Sequence, residues 1–185
     1  MTRLVLCRHA RSGDAAAAAQ LADALRNRPL AAVYTSPLER AAVTAESIAA
    51  AHRLQPVVVD DLRELDFGEA DGVPFEELPS ELRRGLLETP TRVRFPGGES
   101  YPELRARVTS ACAEIVTRHP GVEIAVVSHA GAIRAALATW LSMADGAVFR
   151  LDQRYASINI VDWTDGTPFV RVVNAAPAPV SAQVD

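Results

Sequence analysis

Three places in this chain put cationic or titratable side chains directly after a short apolar run. They are Arg8-His9 after Leu4-Val5-Leu6-Cys7, Ser36 to Arg40 after Ala31 to Thr35, and Ser128-His129 after the run that begins near Glu123. A buried strand has no packing reason to finish in Arg-His, whereas the carboxyl ends of strands in an α/β sheet are where such folds bind ligands. Two arginines and two histidines gathered at helix N-termini suit a phosphoryl group. Guanidinium forks match phosphate oxygens two at a time and stay charged, and the free N–H groups and dipole of a helix start favour an anion. Arg40 falls in the first turn of its helix, where the dipole disfavours a cation by roughly 0.3–1 kcal/mol unless something negative is near. Taken singly, Arg8 or Arg40 reads equally well as a salt-bridge partner, and His129 as a satisfied core histidine. Their joint occurrence at one sheet edge favours an anion site.

The elements that must position these groups follow from the pattern. Arg3 to Cys7 reads as a fully buried strand, the turn Arg11-Ser12-Gly13-Asp14 leads into a helix over Ala15 to Arg26 with Asp14 as N-cap, and Ala31 to Thr35 is a second strand. Ser36-Pro37-Leu38-Glu39 has the form of a capping box with proline at the first helical position, so a helix is expected to begin there and run toward His52. Pro56 to Val59 is a third strand. From Asp60 to Glu99 prolines and glycines break the chain into short pieces, with one helix expected around Ser80 to Leu87, and the segment reads as an excursion over the sheet edge. Ser100-Tyr101-Pro102-Glu103 is a second capping box, opening a helix whose Leu104, Val108, Cys112 and Ile115 form one apolar stripe. Glu123 to Ser128 is a strand, and a helix follows His129. Ile158 to Trp163 and Phe169 to Val173 are strands joined at Asp165-Gly166. Strands alternating with helices imply an α/β fold, a three-layer αβα sandwich around a mostly parallel central sheet. One domain over residues 1–174 is expected, with a small excursion at about 66–99 and a disordered tail over 175–185.

Bulk properties limit the partners. The chain has 185 residues, 49% apolar and 23% charged, with a formal net charge of -4 and no block of Lys or Arg. Nucleic acid and acidic membrane surfaces are therefore disfavoured. Neither an export signal nor an apolar run long enough to span a membrane is visible. Cys7 and Cys112 sit inside apolar patterns with no metal-type spacing, which fits buried thiols and a cytoplasmic setting. His52 and His119, near helix ends, read as solvated residues.

Five blocks carry a resemblance. Leu6-Cys7-Arg8-His9-Ala10-Arg11 resembles the RHG signature of the histidine phosphatase (phosphoglycerate mutase-like, branch 1) superfamily, and Thr35-Ser36-Pro37-Leu38-Glu39-Arg40-Ala41 its S-x-L-x-R-A motif. Leu62 to Gly68 resembles the segment bearing the acid, Pro96-Gly97-Gly98-Glu99-Ser100 the GGES turn, and Val127 to Arg134 the second-histidine motif. The resemblance implies a phosphoglycerate mutase-like fold and a nucleophilic His9 that forms a phosphohistidine. Arg8, Arg40 and His129 would bind the transferring phosphoryl group, and Glu64 would be the acid. It implies no cofactor and no metal. Arg11, Ser12, Glu99 and Ser100 are possible substrate contacts, and Arg11, Arg92 or Arg94 could meet a second anion. The reading of Glu64 without the resemblance is a surface carboxylate paired with Arg63.

Two departures bear on substrate. Ala10 stands where the family has glycine, and only 31 positions separate His9 from Arg40, so the loop after His9 is short and the site should be open. The expected activity is hydrolysis of a phosphate monoester of a small metabolite. The alternatives are a protein phosphohistidine phosphatase, a phosphoglycerate mutase-type phosphotransferase, or a phosphate-binding module without turnover. A phosphorylated small molecule is the expected partner, with no nucleic acid and no membrane, in a monomer or homodimer.

Overall fold

A computed structural model describes residues 1–178. In chain order the elements are β1 (Thr2–Arg8), α1 (Ala15–Leu25), β2 (Leu30–Thr35), α2 (Glu39–His52), β3 (Pro56–Val58), α3 (Ser80–Glu88), α4 (Tyr101–Arg118), β4 (Glu123–Ser128), α5 (Ala130–Trp140), β5 (Ile158–Thr164) and β6 (Thr167–Ala175). The six strands form one sheet in the order β3-β2-β4-β1-β5-β6. The first four run parallel, and β5 and β6 join as an antiparallel pair on the far side of β1.

The alternation along β1 shows why the sheet needs a layer on each face. Leu4 and Leu6 enter one apolar cluster with Leu104, Val108, Ile133 and Leu137 of α4 and α5, while Val5 and Cys7 enter the other with Leu21, Leu25, Ala45 and Ile48 of α1 and α2. The result is the expected αβα sandwich. Because α1 leaves β1 toward one face and α5 leaves β4 toward the other, a crevice opens at the carboxyl ends of these two neighbouring strands, the topological switch point of the sheet.

The second capping box forms as expected: Glu103 accepts the Ser100 backbone N–H at 2.8 Å. The first does not. Ser36 Oγ accepts from Leu38 N at 3.2 Å and also meets a histidine ring, Leu38 is extended, and α2 starts only at Glu39. Two further expectations change. β6 reaches Ala175, paired with Ile158, so the ordered sheet includes one residue assigned to the tail, and residues 179–185 of that tail lie outside the described residues. His52 and His119 are half-buried rather than solvated, with His119 Nε2 2.8 Å from the Tyr34 hydroxyl.

Residues 60–99 pass over the sheet edge as short 3-10 turns plus α3. The ends of the inner part are stitched together, Glu69 N to Pro96 O and Glu99 N to Asp66 O, both 2.9 Å. The crossing needs glycine. Gly68 has φ +52°, and a Cβ there would stand 2.3 Å from Pro96 O. Among the described residues no helix is long and apolar enough to cross a membrane.

Candidate active site

Register alone brings the two histidines together. Arg8 of β1 pairs with Ser128 of β4, so His9 and His129 are the first residues past the ends of adjacent strands, their ring centroids 4.9 Å apart. Thr35 pairs with Val127 on the other side of β4, which brings Ser36 to the same edge. Backbone bonds fix all three strand ends: His9 N to Ser128 O, Ser36 N to Val127 O and Arg8 N to Ser157 O, each 3.0 Å. His9 and His129 are 4% and 0% exposed, so their protonation is set by the protein rather than by water.

Hydrogen bonds indicate the state of the rings. The ring nitrogen Nδ1 of His9 lies 2.7 Å from Ala10 O. A carbonyl can only accept, so Nδ1 carries the proton and Nε2 keeps its lone pair. Burial pushes the His9 imidazole down to about 4, and Arg40 and Arg8 add to the shift against the Ala10 carbonyl. His129 is pushed down to about 2 by burial, then by His9, Arg40 and Arg8. Its Nε2 meets Ser36 Oγ at 2.8 Å, and its Nδ1 is buried without a hydrogen-bond partner.

Arg8 is a half-buried cation without a counter-ion among the described residues. Its Nη1 donates to Gln153 O at 2.5 Å, its guanidinium carbon lies 3.7 Å from the centroid of the Tyr155 ring, and its Nε is buried and unpaired. Burial draws this guanidinium below its ordinary value. Arg40, also half-buried, makes no ion pair among the described residues and forms a wall between two cavities. One of about 230 Å³ is lined by Ala10, Arg11, Ser12 and Thr44, the other of about 560 Å³ by Glu64, Glu99 and Arg107. The unpaired Nε of Arg8, the unpaired guanidinium of Arg40 and an unprotonated imidazole nitrogen on His9 together form an arrangement able to hold an anion.

Glu64 is placed from the other side. Its carboxylate accepts from Leu65 N at 3.0 Å through Oε1 and from Gly131 N at 3.0 Å through Oε2, so it sits at the start of α5 and makes no ion pair with Arg63. Arg107 of α4 fixes the chain beneath it. That guanidinium donates to the carbonyls of Asp61, Arg63 and Glu64 at 2.8, 2.9 and 2.9 Å and to both Glu99 oxygens at 2.7 and 2.8 Å.

The five principal residues inferred from sequence thus come from four separate segments to one end of the sheet. The four possible substrate contacts divide. Arg11 and Ser12 are exposed at the mouth of the smaller cavity, Glu99 is engaged by Arg107, and Ser100 serves the α4 cap away from the histidines. Arg94 is paired with Glu103 at 2.5 Å. Cys7 and Cys112 are buried free thiols, each pushed up to about 12 by burial.

Sequence reasoning missed Tyr155, Thr44, Gln153, Arg107 and Gly131 as site-shaping residues. Tyr155 reaches Arg8 only because β5 pairs antiparallel with β1. Thr44 Oγ1 accepts from Ala10 N at 3.1 Å, tying the short loop to α2, and a single threonine in a helical run carries no such signal. Arg107 had a signal in its position, seven residues into the helix that follows the Gly-Gly-Glu-Ser turn. Among the described residues no group of three or more His, Cys, Asp or Glu side chains is placed to hold a metal ion.

Comparison with known proteins places the geometry. Residues 5–176 match the family described as the Histidine phosphatase superfamily (branch 1). The bifunctional protein Rv2228c of Mycobacterium tuberculosis is 39% identical over 153 residues, 80% of this chain and 42% of that protein, so the chain spans less than half the length of this relative. Phosphoserine phosphatase 1 of Hydrogenobacter thermophilus is 37% identical over 119 residues, 62% of this chain and 56% of that one. Among solved structures, YhfR of Bacillus stearothermophilus superposes with a TM-score of 0.84 at 25% identity, covering 93% of this chain and 96% of its own.

Proposed function

Since the chain belongs to branch 1 of the histidine phosphatase superfamily, we propose that it hydrolyses phosphate monoesters through a phosphohistidine formed on His9. The observation that carries this reading is the pairing of a free lone pair with unpartnered polar atoms. His9 Nε2 is the basic nitrogen of a ring whose Nδ1 is committed to Ala10 O, and Arg8 Nε and His129 Nδ1 are buried without partners around it. A relative covering part of the chain bears the name phosphoserine phosphatase, which agrees with monoester hydrolysis.

The steps follow from the side chains. A bound phosphoryl group takes hydrogen bonds from Arg8, Arg40 and His129, which hold charge on its three non-bridging oxygens. His9 Nε2 attacks phosphorus, the ester P–O bond breaks, and Glu64 delivers a proton to the departing alkoxide. Water then attacks the phosphohistidine, Glu64 takes its proton, and the N–P bond breaks to release inorganic phosphate and the starting imidazole. The low basicity of His9 suits it to the task, since an imidazole held near 4 is unprotonated at any physiological pH.

Hydrolysis fits better than transfer to a second acceptor. A mutase needs a second set of cations for the acidic group of its substrate, but Arg94 is taken by Glu103 and Arg11 is exposed. The test is turnover of a chromogenic phosphate ester in the presence of EDTA, followed by rapid quench. An acid-labile, alkali-stable phosphoprotein is expected from the wild type and none from His9→Ala. Turnover unchanged in His9→Ala would overturn the proposal, and tight phosphate binding with no phosphoenzyme and no turnover would make the protein a binding module.

A further inference from the structure

A third cavity, of about 380 Å³, shares Glu64, Leu65 and Phe67 with the charged one. Its charged side chains are Glu64 and Arg134. Glu64 is bonded to Gly131, and Arg134, one turn further along α5, has its Nε committed to Leu151 O at 2.7 Å. Most of the remaining wall is apolar, built by Phe67, Leu86, Phe95, Tyr101, Leu104 and Phe149. These residues come from the excursion, from α4 and from the turn before β5, so the cavity exists only because the excursion folds back over the start of α5.

Two aromatic pairs shape it. Phe67 stands edge-on to Phe95 with centroids 5.0 Å apart, and Tyr101 lies tilted against Phe149 at 6.0 Å. Phe95 and Tyr101 are buried, whereas Phe67 and Phe149 remain 37% and 50% exposed, so an occupant has apolar surface left to cover. The Tyr101 hydroxyl, in the same wall, is buried without a hydrogen-bond partner. The larger cavity across Glu64 is different in kind. Its wall is charged: Arg107 is matched by Glu99 and Arg94 by Glu103, while Arg40, which makes no ion pair among the described residues, is the cation read above as a phosphoryl ligand.

Resting on the phosphatase reading above, we infer that this cavity takes the leaving group, and that the preferred substrates are phosphate monoesters of ring-sized apolar alcohols rather than of sugars or serine. The bridging oxygen of a bound ester must lie beside Glu64 to receive its proton, and the carbon skeleton beyond that oxygen then meets the apolar wall. A hydroxylated or zwitterionic skeleton would give up its water against phenylalanine and leucine with only the Tyr101 hydroxyl and the remaining Arg134 nitrogens as partners, which is how a mostly apolar pocket discriminates against polar groups. An apolar ring loses nothing and removes the exposed faces of Phe67 and Phe149 from water.

The test compares leaving alcohols of similar acidity, so that chemistry does not masquerade as recognition: 2-phenylethyl phosphate against glycerol 1-phosphate and O-phosphoserine. A kcat/KM at least about tenfold higher for the phenylethyl ester is expected, with the ratio falling fivefold or more in Phe149→Ser and Leu86→Ser, two substitutions at partly exposed positions. Comparable or faster turnover of the polar esters, with His9→Ala inactive on all three, would overturn the subsite and leave the hydrolase reading intact. Calorimetric binding of 2-phenylethylphosphonate and methylphosphonate separates the two claims from the other direction. At least tenfold tighter binding of the former in a protein that hydrolyses no ester would uphold the subsite and overturn the hydrolase reading, whereas equal affinities would overturn the subsite.

Discussion

Gly131 leaves the Glu64 carboxylate no room to share. A Cβ at that position would stand 2.3 Å from Oε1 and 3.1 Å from the carboxyl carbon, so even alanine must push the acid away from the α5 N-terminus. General acid catalysis contributes about 10²–10⁴ to a rate, and its share grows as the leaving group becomes more basic. Gly131→Ala should therefore lower kcat for an alkyl phosphate by roughly a hundredfold while p-nitrophenyl phosphate, whose leaving group needs no proton, suffers far less. Equal losses on both esters, in a protein with an unchanged melting temperature, would remove Glu64 from the acid role. The histidines make a second prediction at this scale. Both lie below their unfolded value of about 6.5, His9 at about 4 and His129 at about 2. The unfolded chain thus binds protons in that interval that the folded protein refuses, and folding stability must fall as pH drops from about 6.5 toward 4. For His9 the loss is on the order of 3 kcal/mol. Urea melts of wild type and His9→Phe between pH 7 and pH 4 would check this, and an equally steep acid loss in the variant would show that the slope has another origin.

Arg107 controls an element rather than an atom. A guanidinium has five N–H donors, and all five are spent on two short stretches: the carbonyls of Asp61, Arg63 and Glu64 and the two oxygens of Glu99. This clamp joins α4 to the segment that carries Glu64 and to the end of the excursion. Arg107→Lys keeps the charge but loses the fork. A fall in kcat of about tenfold on alkyl esters is expected, with KM nearly unchanged and a steeper dependence of rate on leaving-group acidity, because general acid efficiency follows geometry. A rise in KM alone would argue that Arg107 contacts substrate instead. The same scale shows what local sequence can and cannot tell. The Ser100–Glu103 box was readable because every group it uses lies within four residues. The equivalent pattern at Ser36 misled, because Ser36 Oγ is shared with His129, which lies 93 residues further along the chain, and a tertiary partner outcompetes a local cap. Glu64 was reachable only through a motif, since no periodicity marks a carboxylate whose partner is the N–H of Gly131.

Across the whole molecule, the layer order was legible from the alternation of strand and helix patterns, and with it the gathering of Arg8, His9, Arg40 and His129 at one edge, because parallel strands deliver their carboxyl ends to the same side. What was not legible is the neighbour relation among strands. That β1 lies between β4 and β5 decides both the His9–His129 distance and the arrival of Tyr155 over Arg8, and neither partner is near in sequence. The same relation makes the site a junction of the fold: β1, β4, α2, α5 and the segment 61–66 all end on it. Unmet donors and buried cations at that junction cost stability until an anion arrives, so inorganic phosphate should stabilise the whole domain and not only the site. At a hundred times its dissociation constant phosphate adds about 2.7 kcal/mol, which for a chain of this size raises the melting temperature by roughly 5–10 °C. The increase should be smaller by at least half in Arg8→Ala and in Arg40→Ala, and chloride at equal ionic strength should not reproduce it. Hydrogen exchange gives the spatial readout: amides of segment 61–66 and of the β1 and β4 ends should slow together on adding phosphate, whereas protection confined to the loop after His9 would mean that the anion sits in the outer cavity beside Arg11 and not between the histidines.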